Sequence, residues 1–181
     1  KYGIVNIIKS NYKLRYMLLD KKNFNLLNIA DYISALPIAF SFYMFLNLVR
    51  YKNRFFTLGF VGLLVSSVSA DFLKRLPYPK KWEFFTLRPN GANNWDILSR
   101  NDYSSKINPS GFPSGHMSTV SFFSSYIMMA SETNRFEKVV LFSLVFLTAW
   151  ARWFKGVHNI TQILAGTSLG IFVAFIFSKM L

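Results

Sequence analysis

The sequence predicts an all-α integral membrane bundle of about five transmembrane helices, preceded by an N-terminal interfacial helix. Three observations carry this expectation. Apolar residues make up 52% of the 181 and the mean hydropathy is +0.26, which is too apolar for a domain solvated on every side. Those residues gather in runs divided by polar segments. The 21 Lys and Arg, against 8 Asp and Glu, fall mainly between the runs, where lipid headgroups or phosphate are better partners than nucleic acid. With no cysteine in the chain, a disulfide framework, a thiolate metal site and a cysteine nucleophile are excluded.

In chain order, residues 1–29 mix short apolar clusters with Lys9, Lys13, Arg15, Lys21 and Lys22. They hold no uncharged run of the roughly 20 residues that a spanning helix requires. They are expected to form a basic amphipathic arm on the membrane surface, leaving residues 30–181 as the membrane domain. The apolar run Tyr32–Val49 ends in the cationic loop Arg50–Arg54, and Phe55–Ala70 returns with Gly59, Gly62, Ser66, Ser67, Ser69 and Ala70, small residues that permit close helix packing. Residues 71–115 form the longest polar segment, and a segment of that length in a compact protein is expected to be functional. Three further runs follow, His116–Ala130, Val139–Trp153 and Ile160–Phe177. Five crossings place the 71–115 and 153–160 connections on one side of the membrane.

The chemistry gathers on that shared side. Gly111-Phe-Pro-Ser-Gly-His116 stands where a loop enters a helix. Ser114 is expected at the N-cap, and the free N–H groups near Gly115, with the positive helix pole, suit a phosphate. Both histidines of the chain, His116 and His158, lie on this side with Lys81, Arg88 and Arg152. One histidine beside an apolar segment is ordinarily structural; two with three cations at fixed spacings point to acid–base or nucleophilic work on an anion. Ser114, Ser118, Ser121 and Ser125 fall at helical spacing and are expected, about two to one, to pack rather than line the site. Lys74, Arg75 and Lys80 are assigned to headgroup contact.

Lys81-x6-Arg88-Pro89, Pro113-Ser114-Gly115-His116 and Arg152-x5-His158 together resemble, in order and spacing, the three signature motifs of the type-2 phosphatidic acid phosphatase superfamily, the membrane lipid phosphate phosphatases. The resemblance covers about residues 30–181. It implies a phosphatidic acid phosphatase/haloperoxidase-like core and a metal-independent, cofactor-free phosphatase that acts on a lipid phosphate or isoprenoid pyrophosphate through a phosphohistidine. In those roles His158 is the nucleophile, His116 the general acid and then base, and Lys81, Arg88 and Arg152 the clamp on the phosphoryl oxygens, with Ser114 and the Gly115 N–H as neutral donors. The resemblance also implies a multi-pass protein with its active site on the non-cytoplasmic face, although Lys and Arg are more numerous on that side. Six crossings are common in the family against the five runs here, the first being lost, cut away or replaced by the arm.

Two positions depart from the family pattern. Ala151 stands where the third motif has Ser, and Gln162 where it has Asp. Gln162 can still orient His158 by accepting from the ring N–H, but without charge. Asp71, Glu83, Asp96 and Asp102 are the acids that folding would have to bring near His158 to supply one. The departure admits a second expectation from another class, a catalytically impaired relative kept as a structural or lipid-binding subunit with protein partners in a larger membrane assembly.

Overall fold

The computed structural model describes residues 24–89 and 110–181. The expected basic arm, except for its last residues, and Asp96 and Asp102 lie outside the described residues. Helix α1 (Phe24–Ser34) begins inside the stretch assigned to the arm and passes through a turn at Ala35 into α2 (Leu36–Tyr51). Pro37 at the start of α2 explains the break: it lacks an N–H and its ring opposes the carbonyl four residues earlier. Ala35 N–H accordingly bonds only three residues back, to Tyr32 O at 3.0 Å.

At Lys52 the backbone turns left-handed (φ 49°), and Asn53 starts α3 (Arg54–Lys74) by accepting from Phe56 N–H through its side chain. A 3₁₀ turn (Lys80–Trp82) and a single turn, α4 (Glu83–Thr86), follow, and Leu87 pairs with Ser110 in an isolated antiparallel bridge. The chain then forms α5 (Gly115–Ala130), α6 (Arg135–Phe154) and α7 (Ile160–Lys179). Capping boxes start both α6 (Asn134/Glu137) and α7 (Asn159/Gln162).

Helix α5 is the axis of the bundle. Met117 through Tyr126 are all buried, the pattern of a helix surrounded on every side. Small residues let its neighbours close in. The Gly59, Gly62, Ser66 and Ala70 stripe of α3 is buried, and a Cβ on Gly62 would overlap the Phe122 ring. On the opposite flank a Cβ on Gly166 or Gly170 of α7 would strike the Ser114 or Ser118 carbonyl oxygen. Ser118 Oγ meets Ser66 Oγ at 2.6 Å across the α3–α5 contact, so this member of the serine series packs, as expected. The cluster of Met44, Leu63, Phe122, Phe123, Tyr126, Leu141, Val173 and Ala174 completes the core.

Among the described residues, three helical stretches are long and apolar enough to cross a membrane: Asn28–Tyr51, Arg54–Lys74 and Ile160–Lys179, with mean hydropathies of 1.6, 1.7 and 2.0. The other two expected spans fall short of that measure for physical reasons. Helix α5 has 16 residues and is shielded by its neighbours, whereas α6 carries Arg135, Glu137, Lys138 and Arg152 at its ends. The outward face of α6 is nonetheless apolar, with Phe142 65% and Phe146 75% exposed, exposure that suits hydrocarbon better than water. The architecture is an all-α membrane bundle. Tyr126 OH reaches Phe55 O (2.8 Å), which sets the end of α5 against the start of α3. Ser114 N–H reaches Gln162 O (3.0 Å) at the other end, so the long polar segment and the α6–α7 connection do share one side.

Candidate functional site

Two helix starts and one loop edge converge at that end. The first turn of α5 supplies Ser114, Gly115 and His116; the end of α6 and the turn after it supply Arg152 and His158; Arg88 comes from the edge that follows α4. Gly156, at φ 68°, allows the sharp reversal that returns the chain from α6 to α7.

His158 is buried, and its Nδ1 lies 3.1 Å from Gln162 Oε1. The Gln162 amide cannot be reversed without loss. Its Nε2 donates to Phe85 O (3.1 Å), Thr86 O (3.3 Å) and Leu87 O (2.7 Å), while its Oε1 also accepts from Asn159 N–H at 3.3 Å. With Oε1 an acceptor, His158 Nδ1 must carry the hydrogen, which leaves Nε2 with its lone pair. Burial holds the His158 ring well below the ordinary imidazole pKa; the charges of Arg152 and Arg88 push it further down, the Gln162 bond opposes this, and His116 adds a smaller repulsion. The ring is therefore neutral near pH 7.

Arg88 donates to Val157 O (3.3 Å), and burial lowers its pKa. Arg152, only 2% exposed, donates through Nη1 to Ser34 Oγ at 3.2 Å. His116, half-buried, is near enough to His158 for their charges to interact. Ser114 occupies the N-cap position of α5, but its side chain makes no capping bond. Instead its Oγ is buried with no hydrogen-bond partner among the described residues, as are those of Ser121 and Ser124 on the same helix.

The structure thus gathers Arg88, Ser114, Gly115, His116, Arg152, His158 and Gln162. Lys81 stands exposed on the 3₁₀ turn, outside this hydrogen-bonded set. No carboxylate among the described residues replaces the absent Asp: Asp71 pairs with Lys74 (2.7 Å), and Glu83 is exposed.

Sequence reasoning missed two features. Lys74, assigned to headgroup contact, has its side chain 13% exposed and its Nζ only 3.2 Å from where a Gly115 Cβ would stand. The Asp71 carboxylate meets that ammonium at 2.7 Å, so the ion pair stands beside the N-terminus of α5. Asp31 and Ser34 of α1 were missed as well, although an acid inside an apolar run is a recognisable signal.

Comparison with known proteins places these features in a family. No curated protein and no solved structure matches the chain. The family model described as PAP2 superfamily matches residues 55–181, from the first turn of α3 to the last residue. That stretch holds all three motifs and both histidines, and the chain belongs to the PAP2 superfamily, a family of phosphatase-like proteins.

Proposed function

We propose that the protein is a membrane phosphatase that removes a phosphate from a lipid phosphate monoester or an isoprenoid diphosphate through a phosphohistidine on His158. The observation that supports this best is the neutral, buried His158 ring with Nδ1 on Gln162 and Nε2 left for attack, under the charges of Arg88 and Arg152. In the first step the Nε2 lone pair forms a bond to phosphorus while the bond to the leaving oxygen breaks, and His116 donates a proton to that oxygen. In the second, His116 takes a proton from water, the resulting hydroxide attacks phosphorus, and the P–N bond breaks to release phosphate and restore His158.

Arg88 and Arg152 neutralise the equatorial oxygens of the in-line transition state, Ser114 Oγ and the Gly115 N–H donate to them, and Lys74 and Lys81 meet the anion from the α3 and solvent sides. The bundle is multi-pass, and the site opens on the non-cytoplasmic face.

The test is phosphate release from phosphatidate and from an isoprenoid diphosphate, by the full chain in detergent with a chelator present. Turnover lost in His158→Ala but retained in a variant of an exposed residue far from the site, Phe146→Leu, supports the enzyme. A wild-type chain that releases no phosphate from either lipid rejects it. The uncharged Gln162 beside the nucleophile favours a second reading, a lipid-binding relative that holds a phosphate headgroup without turning it over. For that, an inert wild type must still bind inorganic phosphate.

A further inference from the structure

The family match begins at residue 55, so α1 lies ahead of it, yet α1 reaches into the site. Ser34 Oγ accepts from Arg152 Nη1 at 3.2 Å and donates to Ala30 O at 2.8 Å, so its hydroxyl is aimed with its lone pairs at the guanidinium. Three residues earlier, on the same face, Asp31 Oδ1 meets Lys155 Nζ at 2.5 Å, with only 10% and 5% of the two side chains exposed. Arg152 and Lys155 are themselves three apart at the end of α6. Two parallel rungs therefore join α1 to α6 at 31–155 and 34–152.

Both rungs are chemically expensive for a membrane protein. A carboxylate inside an apolar helix carries a desolvation cost and ordinarily marks a functional position. Two leucines would join these helices at lower cost. What an apolar contact cannot do is set the direction of a guanidinium. Ala151, directly before Arg152, offers it no hydroxyl, and Ser34 supplies one from another helix. Lys155 begins the Gly156 turn that leads in three residues to His158, so the second rung fixes the start of the loop that carries the ring.

We infer that Ser34 and Asp31 of α1 are positioning residues of the phosphate site, Ser34 orienting the Arg152 guanidinium and Asp31 holding, through Lys155, the loop that presents His158. The inference rests on the phosphate-handling reading of the site. Its test uses the full chain in detergent and three readouts: KM and kcat with phosphatidate, binding of inorganic phosphate, and melting temperature. Ser34→Ala raises KM and weakens phosphate binding about tenfold, as expected for one lost charge-assisted hydrogen bond, with little change in melting temperature; Ser34→Thr restores both. Asp31→Asn lowers kcat more than it raises KM, and Asp31→Asn/Lys155→Gln recovers melting temperature without recovering kcat.

Native KM and phosphate affinity in Ser34→Ala, or a kcat that follows melting temperature through the Asp31 series, overturns the inference and leaves the rungs as packing. An inert wild type rejects the phosphatase alone: phosphate binding then decides, weakened by Ser34→Ala in support, unchanged or absent against.

Discussion

Gln162 shows how much one side chain can hold in place. Its two N–H bonds are shared among three carbonyl oxygens from residues 85–87, and its oxygen faces the His158 ring. An Asp there is one methylene shorter, donates nothing, and turns a negative charge toward those carbonyls. Gln162→Asp is expected to cost about 3 kcal/mol of stability, read as a lower melting temperature, and not to raise turnover, even though it restores the residue type of the family motif. Lys74→Met is expected to raise KM several-fold with a smaller effect on kcat, since its ammonium meets the ground-state anion as well as the transition state. The depressed His158 pKa gives a pH dependence of known sign. The folded state holds the ring neutral, so its contribution to stability is complete above the ordinary value of 6.5 and is lost as pH falls from there toward the lower folded value. A melting series from pH 8 to pH 5 should decline on the acid side, and less steeply in His158→Gln. The letters of the sequence pick out His116, His158, Arg88 and Arg152, which the fold brings together, because the chemistry proposed for them demands particular residue types. They do not reveal the three carbonyls under Gln162, because any residue supplies a carbonyl and these lie some 75 positions away.

At the level of elements, the apolar runs mark every long helix, and the small residues of Phe55–Ala70 mark the close approach of α3 to α5. The same runs hide which helix is central. His116–Ala130 is no more apolar than its neighbours, and only the assembled bundle shows Met117–Tyr126 buried on all sides. The first run was read as starting at Tyr32, one residue after Asp31, so the carboxylate that pairs with Lys155 was left outside it. Packing around α5 makes its own prediction. Gly170→Ala places a methyl against the Ser118 carbonyl and the Phe122 N–H, backbone that cannot step aside. It should destabilise by about 1–3 kcal/mol and reduce activity along with stability.

For the whole molecule, sidedness sets two tendencies against each other, because the end with the histidines is also rich in cations. The positive-inside tendency assumes that loop cations have no other task, and here Arg88 and Arg152 are engaged at the site and Lys155 is buried against Asp31. The cysteine-free chain makes a direct measurement possible. Lys81→Cys and Lys52→Cys place single thiols at opposite ends of the bundle, both at exposed positions. In sealed membranes of known orientation, an impermeant maleimide applied from the non-cytoplasmic side is expected to label the first and spare the second; the reverse pattern would turn the site toward the cytoplasm. Helix α5, meanwhile, is tied at one tip through Ser114 to α7 and at the other through Tyr126 to α3. A rod pinned at both tips has no piston stroke. The short Lys80–Pro89 segment hangs on α7 by the amide groups of Asn159 and Gln162, so the side chain that steadies His158 is also the peg for that segment.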